Sequence, residues 1–194
     1  MVRTILYKTH KAGGALAMLI VFSYMKQKGL LVENINPFIQ LSIMYPASSF
    51  GSTVSDLDLG WSNVKEKTPI NYFCHSLIAL TKPSHRSWQT HSIVFVGGIC
   101  SLLYSAMHLM SQICGESMSI ILLRMMLIGF ICGITSHLFL DSFTMMGIHI
   151  LPGQMFSFVP HIEMFGTGSK WEDIVFKSLS IGIVLVLLFI LKNI

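Results

Sequence analysis

Charge is what this chain has least of: 11% of its 194 residues are Asp, Glu, Lys or Arg, against 53% hydrophobic. A soluble domain carries roughly a quarter charged residues. The composition, with a mean hydropathy of +0.67, therefore excludes an ordinary soluble domain and places the chain in a membrane. Cysteine is scarce too. Cys74, Cys100, Cys114 and Cys132 form no CxxC pair and mostly lie within or beside apolar runs. A disulfide framework or structural zinc cluster is excluded, which leaves buried thiols. The formal net charge is only +4 and the Lys and Arg are scattered. Nucleic-acid binding is not expected, and the basic residues read as topology determinants. No repeat, low-complexity segment, Ser-His-Asp arrangement or phosphate-cradling glycine-rich loop is present. Nor does a small-residue cleavage site follow the first apolar run, where the chain reads Tyr24-Met25-Lys26-Gln27-Lys28. That run is expected to be a retained helix.

What is present is a series of long apolar runs. They predict an all-α membrane protein, a single helical domain over 1–194 with about five transmembrane helices, near 10–26, 37–52, 91–114, 118–143 and 173–193. The first run needs the snorkelling stems of Lys8 to Lys11 to reach a crossing length. The second starts at Pro37 and is expected to kink or break at Pro46, with irregular backbone before Asp56. Ile70 to Leu80 reads as an amphipathic or interfacial helix containing His75. Between Thr144 and Lys170 stand Gly147, Pro152, Gly153, Pro160, Gly166 and Gly168, too many breakers for one long helix. Ser169-Lys170-Trp171-Glu172 is a capping box, so Glu172 reads as a cap rather than a catalytic acid.

The chain's chemistry is organised around Ser136-His137-Leu138-Phe139-Leu140-Asp141. An imidazole and a carboxylate four residues apart share one helix face. Both are costly in hydrocarbon, so the pair points to a metal, a substrate or a proton. Other polar groups fall at the ends of the runs: His10 opens the first, Asp56 and Asp58 follow the second, and His85, Arg86 and His91 precede the third. If each run crosses once, all of these share one membrane face with His137 and Asp141. His10, Asp58, His85, His91, His137 and Asp141 are the candidate metal ligands, with Asp56 a further ligand or the base. Four imidazoles and three carboxylates suit one or two divalent transition ions, zinc or manganese, and exceed what one ion needs. Arg86 suits a phosphate or carboxylate oxygen of a substrate. Trp88 reads as an interfacial anchor, and His75, His108, His149 and His161 as structural, the last two with a place in a substrate loop. Lys and Arg concentrate on the polar face, which the positive-inside rule assigns to the cytoplasm.

These motifs, in order, resemble the LexA-regulated inner-membrane family of predicted metal-dependent hydrolases, small bacterial and phage membrane proteins. The resemblance rests on His10, Asp56-x-Asp58, His85-Arg86…Thr90-His91-Ser92 and Gly133-x-x-Ser136-His137-x-x-x-Asp141. Thr144-x-x-Gly147…Leu151-Pro152 and Phe165-x-Thr167-Gly168-Ser169-x-x-Glu172 extend it over nearly the whole chain. Ser55 and Leu59 stand where that family usually has Pro and His. The resemblance implies a membrane-bound metal-dependent hydrolase. A lipid or phosphoester substrate met in the membrane is the expectation. The rivals are a metal or ion transporter using the same residues, and a non-catalytic membrane regulator whose metal is structural.

Overall fold

The computed structural model describes residues 5–33, 35–58, 66–80, 86–144, 147–158 and 169–192, and it is mostly helical. Its elements are α1 (Ile5–Gln27), α2 (Pro37–Val54), a 3-10 turn (Ser55–Asp58) and α3 (Pro69–Leu80), then α4 (Ile93–Cys114) and α5 (Met118–Asp141). A hairpin of β1 (Ile148–Leu151) and β2 (Gln154–Phe156) precedes α6 (Lys170–Lys192). Helix starts follow local chemistry. The hydroxyls of Ser92, Ser117 and Ser169 accept backbone N–H groups at the heads of α4, α5 and α6, which satisfies donors that have no intrahelical partner.

Among the described residues three helices, not the expected five, are long and apolar enough to cross a membrane: α4, α5 and α6. The first two runs fall short for a physical reason. His10, Lys11 and Lys26 dilute the apolar residues of α1, and the inward positions of α2 are Gln40, Ser48, Ser52 and Thr53, all buried. A second expectation also fails, because α2 runs on through Pro46 to Val54. Pro46 is exposed, so the ring's disruption falls on the outer side while the inner face stays packed.

Two clusters share α5. Met18, Phe22, Met44 and Met125 pack α1 and α2 against one side of it, with Ile190 of α6. Val96, Cys100, Leu138 and Ile148 pack α4 and β1 against the other. The contact with α2 is made by backbone. A Cβ on Gly129 would sit 2.3 Å from the carbonyl oxygen of Met44, and one on Gly133 would sit 2.1 Å from that of Ser48. A Cβ on Gly51 would lie 2.3 Å from the carbonyl oxygen of Phe130. Gly129-x-x-x-Gly133 is thus a small-residue seam of the kind that lets membrane helices approach closely, where apolar area gives no driving force between helices in lipid.

Within the Thr144–Lys170 stretch lies the hairpin, pairing Ile148 with Phe156 and turning at Gly153, whose φ of +81° only glycine adopts freely. The backbone N–H of His149 donates to the carbonyl of His91 at 2.8 Å, and the Ser92 hydroxyl donates to the carbonyl of Ile150 at 3.1 Å. The hairpin therefore fixes the entry to α4.

Candidate metal centre

Four chain segments deliver side chains to one point: the first turns of α1, the 3-10 turn after α2, the approach to α4 and the last turns of α5. Nε2 of His91 and Nε2 of His137 are 3.4 Å apart. Asp141 Oδ2 lies 3.3 Å from the first and 3.4 Å from the second. All three side chains are fully buried. His10 stacks on His137 with ring centroids 3.9 Å apart, and its Nε2 is 3.4 Å from Asp141 Oδ1. Asp56 Oδ1 stands 3.9 Å from Nε2 of His91 and 3.8 Å from Nε2 of His137, and with its side chain 25% exposed it is the group that meets solvent.

Hydrogen bonds on the far side of each ring fix which nitrogen faces the centre. Nδ1–H of His137 donates to the carbonyl of Ser52 at 2.7 Å, so in the neutral ring its Nε2 carries the lone pair. The Thr90 hydroxyl donates to Asp58 Oδ2 at 2.6 Å, which leaves the Thr90 oxygen to accept from Nδ1–H of His91 at 2.9 Å. Asp58 Oδ2 is itself 3.5 Å from that nitrogen. Two imidazoles thus aim lone pairs at each other and at a carboxylate, which repels unless a cation stands between them. A carboxylate and a carbonyl behind the ligating histidines is the usual outer layer of a metal site.

The distances fit as well. A tetrahedron with ligand bonds of about 2.0–2.1 Å has edges of about 3.3–3.4 Å, and the His91–His137–Asp141 triangle has edges of 3.3, 3.4 and 3.4 Å. Charge points the same way. Of the three carboxylates Asp56, Asp58 and Asp141, only Asp141 pairs with the Arg86 guanidinium, so with neutral imidazoles the cluster holds two excess negative charges. Buried charge of that size demands compensation, and a divalent cation supplies it. Burial opposes a charge on His91, yet the hydrogen bonds its ring donates to the Asp141 and Asp58 carboxylates outweigh it and raise its pKa, so a proton competes with a metal for its Nε2. The residues fit a metal ion.

Arg86 is turned inward. Its Nη2 donates to Asp141 Oδ1 at 2.9 Å and its Nη1 to Thr144 Oγ1 at 2.7 Å, and the residue is 9% exposed. Its backbone N–H donates to Asp58 Oδ2 at 2.9 Å, and its carbonyl oxygen lies 3.1 Å from His149 Nε2. Its φ of +59° is the left-handed conformation, costing a non-glycine residue roughly 1–2 kcal/mol. The bonds on every side of Arg86 hold it there. At the edge of the site Lys11 pairs with Glu66. Burial opposes ionisation of Glu66, but the Lys11 ammonium and the Tyr7 hydroxyl outweigh it and hold its carboxyl below the usual range.

Of the residues singled out from the sequence, His10, Asp56, His91, His137 and Asp141 meet at this point. Asp58 stands behind His91, and Arg86 stands behind Asp141. His85 and His161 lie outside the described residues. The backbone before Asp58 is a 3-10 turn rather than extended, and either conformation sends Asp56 and Asp58 in different directions. Sequence reasoning gave no role to Thr90, Thr144 or the carbonyl of Ser52. Thr90 had a signal, since a hydroxyl directly before a ligating histidine is placed to reach the same carboxylate. His149, read as structural, holds the backbone of both His91 and Arg86.

No curated protein and no solved structure matches this chain. The family model described as YdjM inner membrane protein matches residues 5–191. On that extent of match, and with three helices suited to a membrane, the chain belongs to the YdjM inner membrane protein family.

Proposed function

We propose that this protein is a membrane-embedded, metal-dependent hydrolase acting on a lipid or phosphoester. The observation that carries the reading is the buried triangle of His91, His137 and Asp141, with lone pairs turned inward and edges of 3.3 to 3.4 Å. When bound there, a divalent transition metal such as zinc or manganese makes water acidic enough to attack near neutral pH. His91, His137 and Asp141 would hold it, with His10 completing the set and Asp56 standing farther out.

One ion is the reading the shared histidine favours. The two ligand triplets, His10–Asp56–His137 and His91–His137–Asp141, share His137. One nitrogen of His137 is engaged by Ser52, and the single remaining lone pair serves one ion. Asp56 is the group with solvent access, and it acts as the base that takes a proton from water. Asp58 and Thr90 keep His91 in the productive tautomer. Arg86 balances Asp141 and holds it in place, a positioning role in place of the substrate contact expected from its type.

The polar end faces the cytoplasm in a multi-pass arrangement. Lys8, Lys11, Lys67 and Lys170 lie at that end, against Lys26, Lys28 and Lys192 at the other, where Arg124 is paired with Glu116.

Purified protein in lipid nanodiscs, assayed on a panel of phospholipids and phosphoesters, tests the activity. Turnover is expected to stop on chelation and return with zinc or manganese. Asp56→Asn is expected to lower kcat roughly 10²–10⁴-fold with the metal retained. Turnover indifferent to chelation contradicts the reading, and so does metal flux in proteoliposomes with no hydrolysis.

A further inference from the structure

A groove of about 400 Å³ lies beside the centre, between the start of α1, the end of α5 and the start of α6. That size is within the range of roughly 300–1,000 Å³ usual for small-molecule sites. Its walls change character along their length. Thr9, His10, Thr144 and Glu172 stand at one end. Phe139, Leu140, Phe143, Val175 and Leu179 form the remainder. Leu179 is two helical turns beyond Glu172, about 10 Å deeper at 1.5 Å per residue.

Two of the three helices suited to cross the membrane, α5 and α6, supply the apolar walls. The groove therefore runs from the polar end of the bundle toward the hydrocarbon phase. His10 belongs to both places. Its Nε2 faces Asp141 in the centre, and its ring borders the groove. Its Nδ1 is buried with no hydrogen-bond partner among the described residues. Larger cavities beside α4, about 620 Å³, and beside α2, about 670 Å³, have none of the centre's residues in their walls.

We propose that this groove holds one hydrocarbon tail of a membrane lipid, with the ester to be cleaved brought to His10, so that the centre draws its substrate from the bilayer. This rests on the hydrolase reading and narrows it. A water-soluble phosphoester makes no use of a wall of Phe139, Leu140, Val175 and Leu179, whereas a hydrocarbon tail matches a groove whose surface is almost wholly apolar. The reaction needs only water as co-reactant: its hydroxyl joins the acyl or phosphoryl group as the ester bond breaks, and its proton leaves with the alcohol. Seating the tail fixes the depth of the ester relative to the buried histidines, which is how binding remote from the reacting bond assists the reaction.

The test uses the full chain with its metal in nanodiscs of phosphatidylethanolamine and phosphatidylglycerol, doped with phosphatidylglycerol carrying a photoactivatable diazirine in one tail. Cross-links are expected to concentrate on residues 139–144 and 172–179. Val175→Trp, which fills the groove, is expected to lower that labelling about ten-fold, and Leu185→Trp, at a lipid-exposed position on α6, to leave it unchanged. The same Val175→Trp chain should lose kcat/KM on the long-chain lipid about ten-fold and retain it on a dibutyryl analogue. Labelling spread evenly over the outer faces of α4, α5 and α6 overturns the proposal, as does labelling indifferent to Val175→Trp. The map is read first on the unsubstituted chain, so it decides even if the tryptophan variant does not fold. Elemental analysis of the same sample separates the two ideas: metal present without groove labelling sinks the groove alone, and labelling without metal sinks the hydrolase reading.

Discussion

At the scale of single residues, the account divides carboxylates that look equivalent in the sequence. Asp141 faces two Nε2 atoms of the centre, while Asp58 reaches His91 only through Nδ1 and the Thr90 hydroxyl. An orienting carboxylate is worth about 10–100-fold in metal affinity. Asp58→Asn is therefore expected to weaken zinc binding by about that factor, measured by competition with a chelating dye, whereas Asp141→Asn should abolish it. Equal losses would make Asp58 a ligand. Asp141→Asn also strands the Arg86 guanidinium, and removing one partner of a buried pair costs roughly 3–5 kcal/mol. Its unfolding midpoint should fall well below that of Asp58→Asn. The His-x-x-x-Asp spacing on α5 made His137 and Asp141 legible from the sequence, because helical geometry fixes where both point. The roles of Asp56 and Asp58 were not legible, since a two-residue spacing in a non-helical segment leaves their partners to tertiary structure. His10 and His91 were recovered only by assuming that alternate run ends share a face.

At the scale of elements, the decisive contact is the backbone seam between α2 and α5. It was open to reading as Gly129-x-x-x-Gly133, but that motif gains meaning only with Ser48 and Gly51 opposite, and pairing of helices is not written in either one alone. A methyl group on Gly133 has no space against the Ser48 carbonyl and the Ser52 N–H. Overpacking of this kind costs about 1–3 kcal/mol, so Gly133→Ala should lower the thermal midpoint in detergent. It should also weaken metal binding, because the bond from His137 to the Ser52 carbonyl crosses the same seam. Gly97→Ala, which meets nothing within 4 Å, is the matched control and should be neutral on both counts. Apolar length made α4, α5 and α6 legible in the sequence, with the Ser169 cap marking the start of α6. The persistence of α2 through Pro46 was not, because it depends on packing along the opposite face.

At the scale of the whole molecule, the chain places costly polar groups at one end of a bundle in which α4, α5 and α6 have membrane-crossing character. The cytoplasmic orientation proposed for that end is open to a direct test. In a background with the four native cysteines replaced, a cysteine at Glu66 should be protected from an impermeant maleimide added to intact spheroplasts, and one at Ser117 should react. Labelling in the reverse sense would invert the orientation without touching the chemistry. The fold and the chemistry meet in a single claim, that imidazoles and carboxylates from distant segments grip one ion. Elemental analysis of the purified full chain, beside His137→Ala with its helical circular dichroism intact, tests that claim most directly. About one transition-metal ion per wild-type chain, falling close to zero in His137→Ala, is the predicted result. A wild-type chain without metal, or a variant that keeps its full complement, would contradict it.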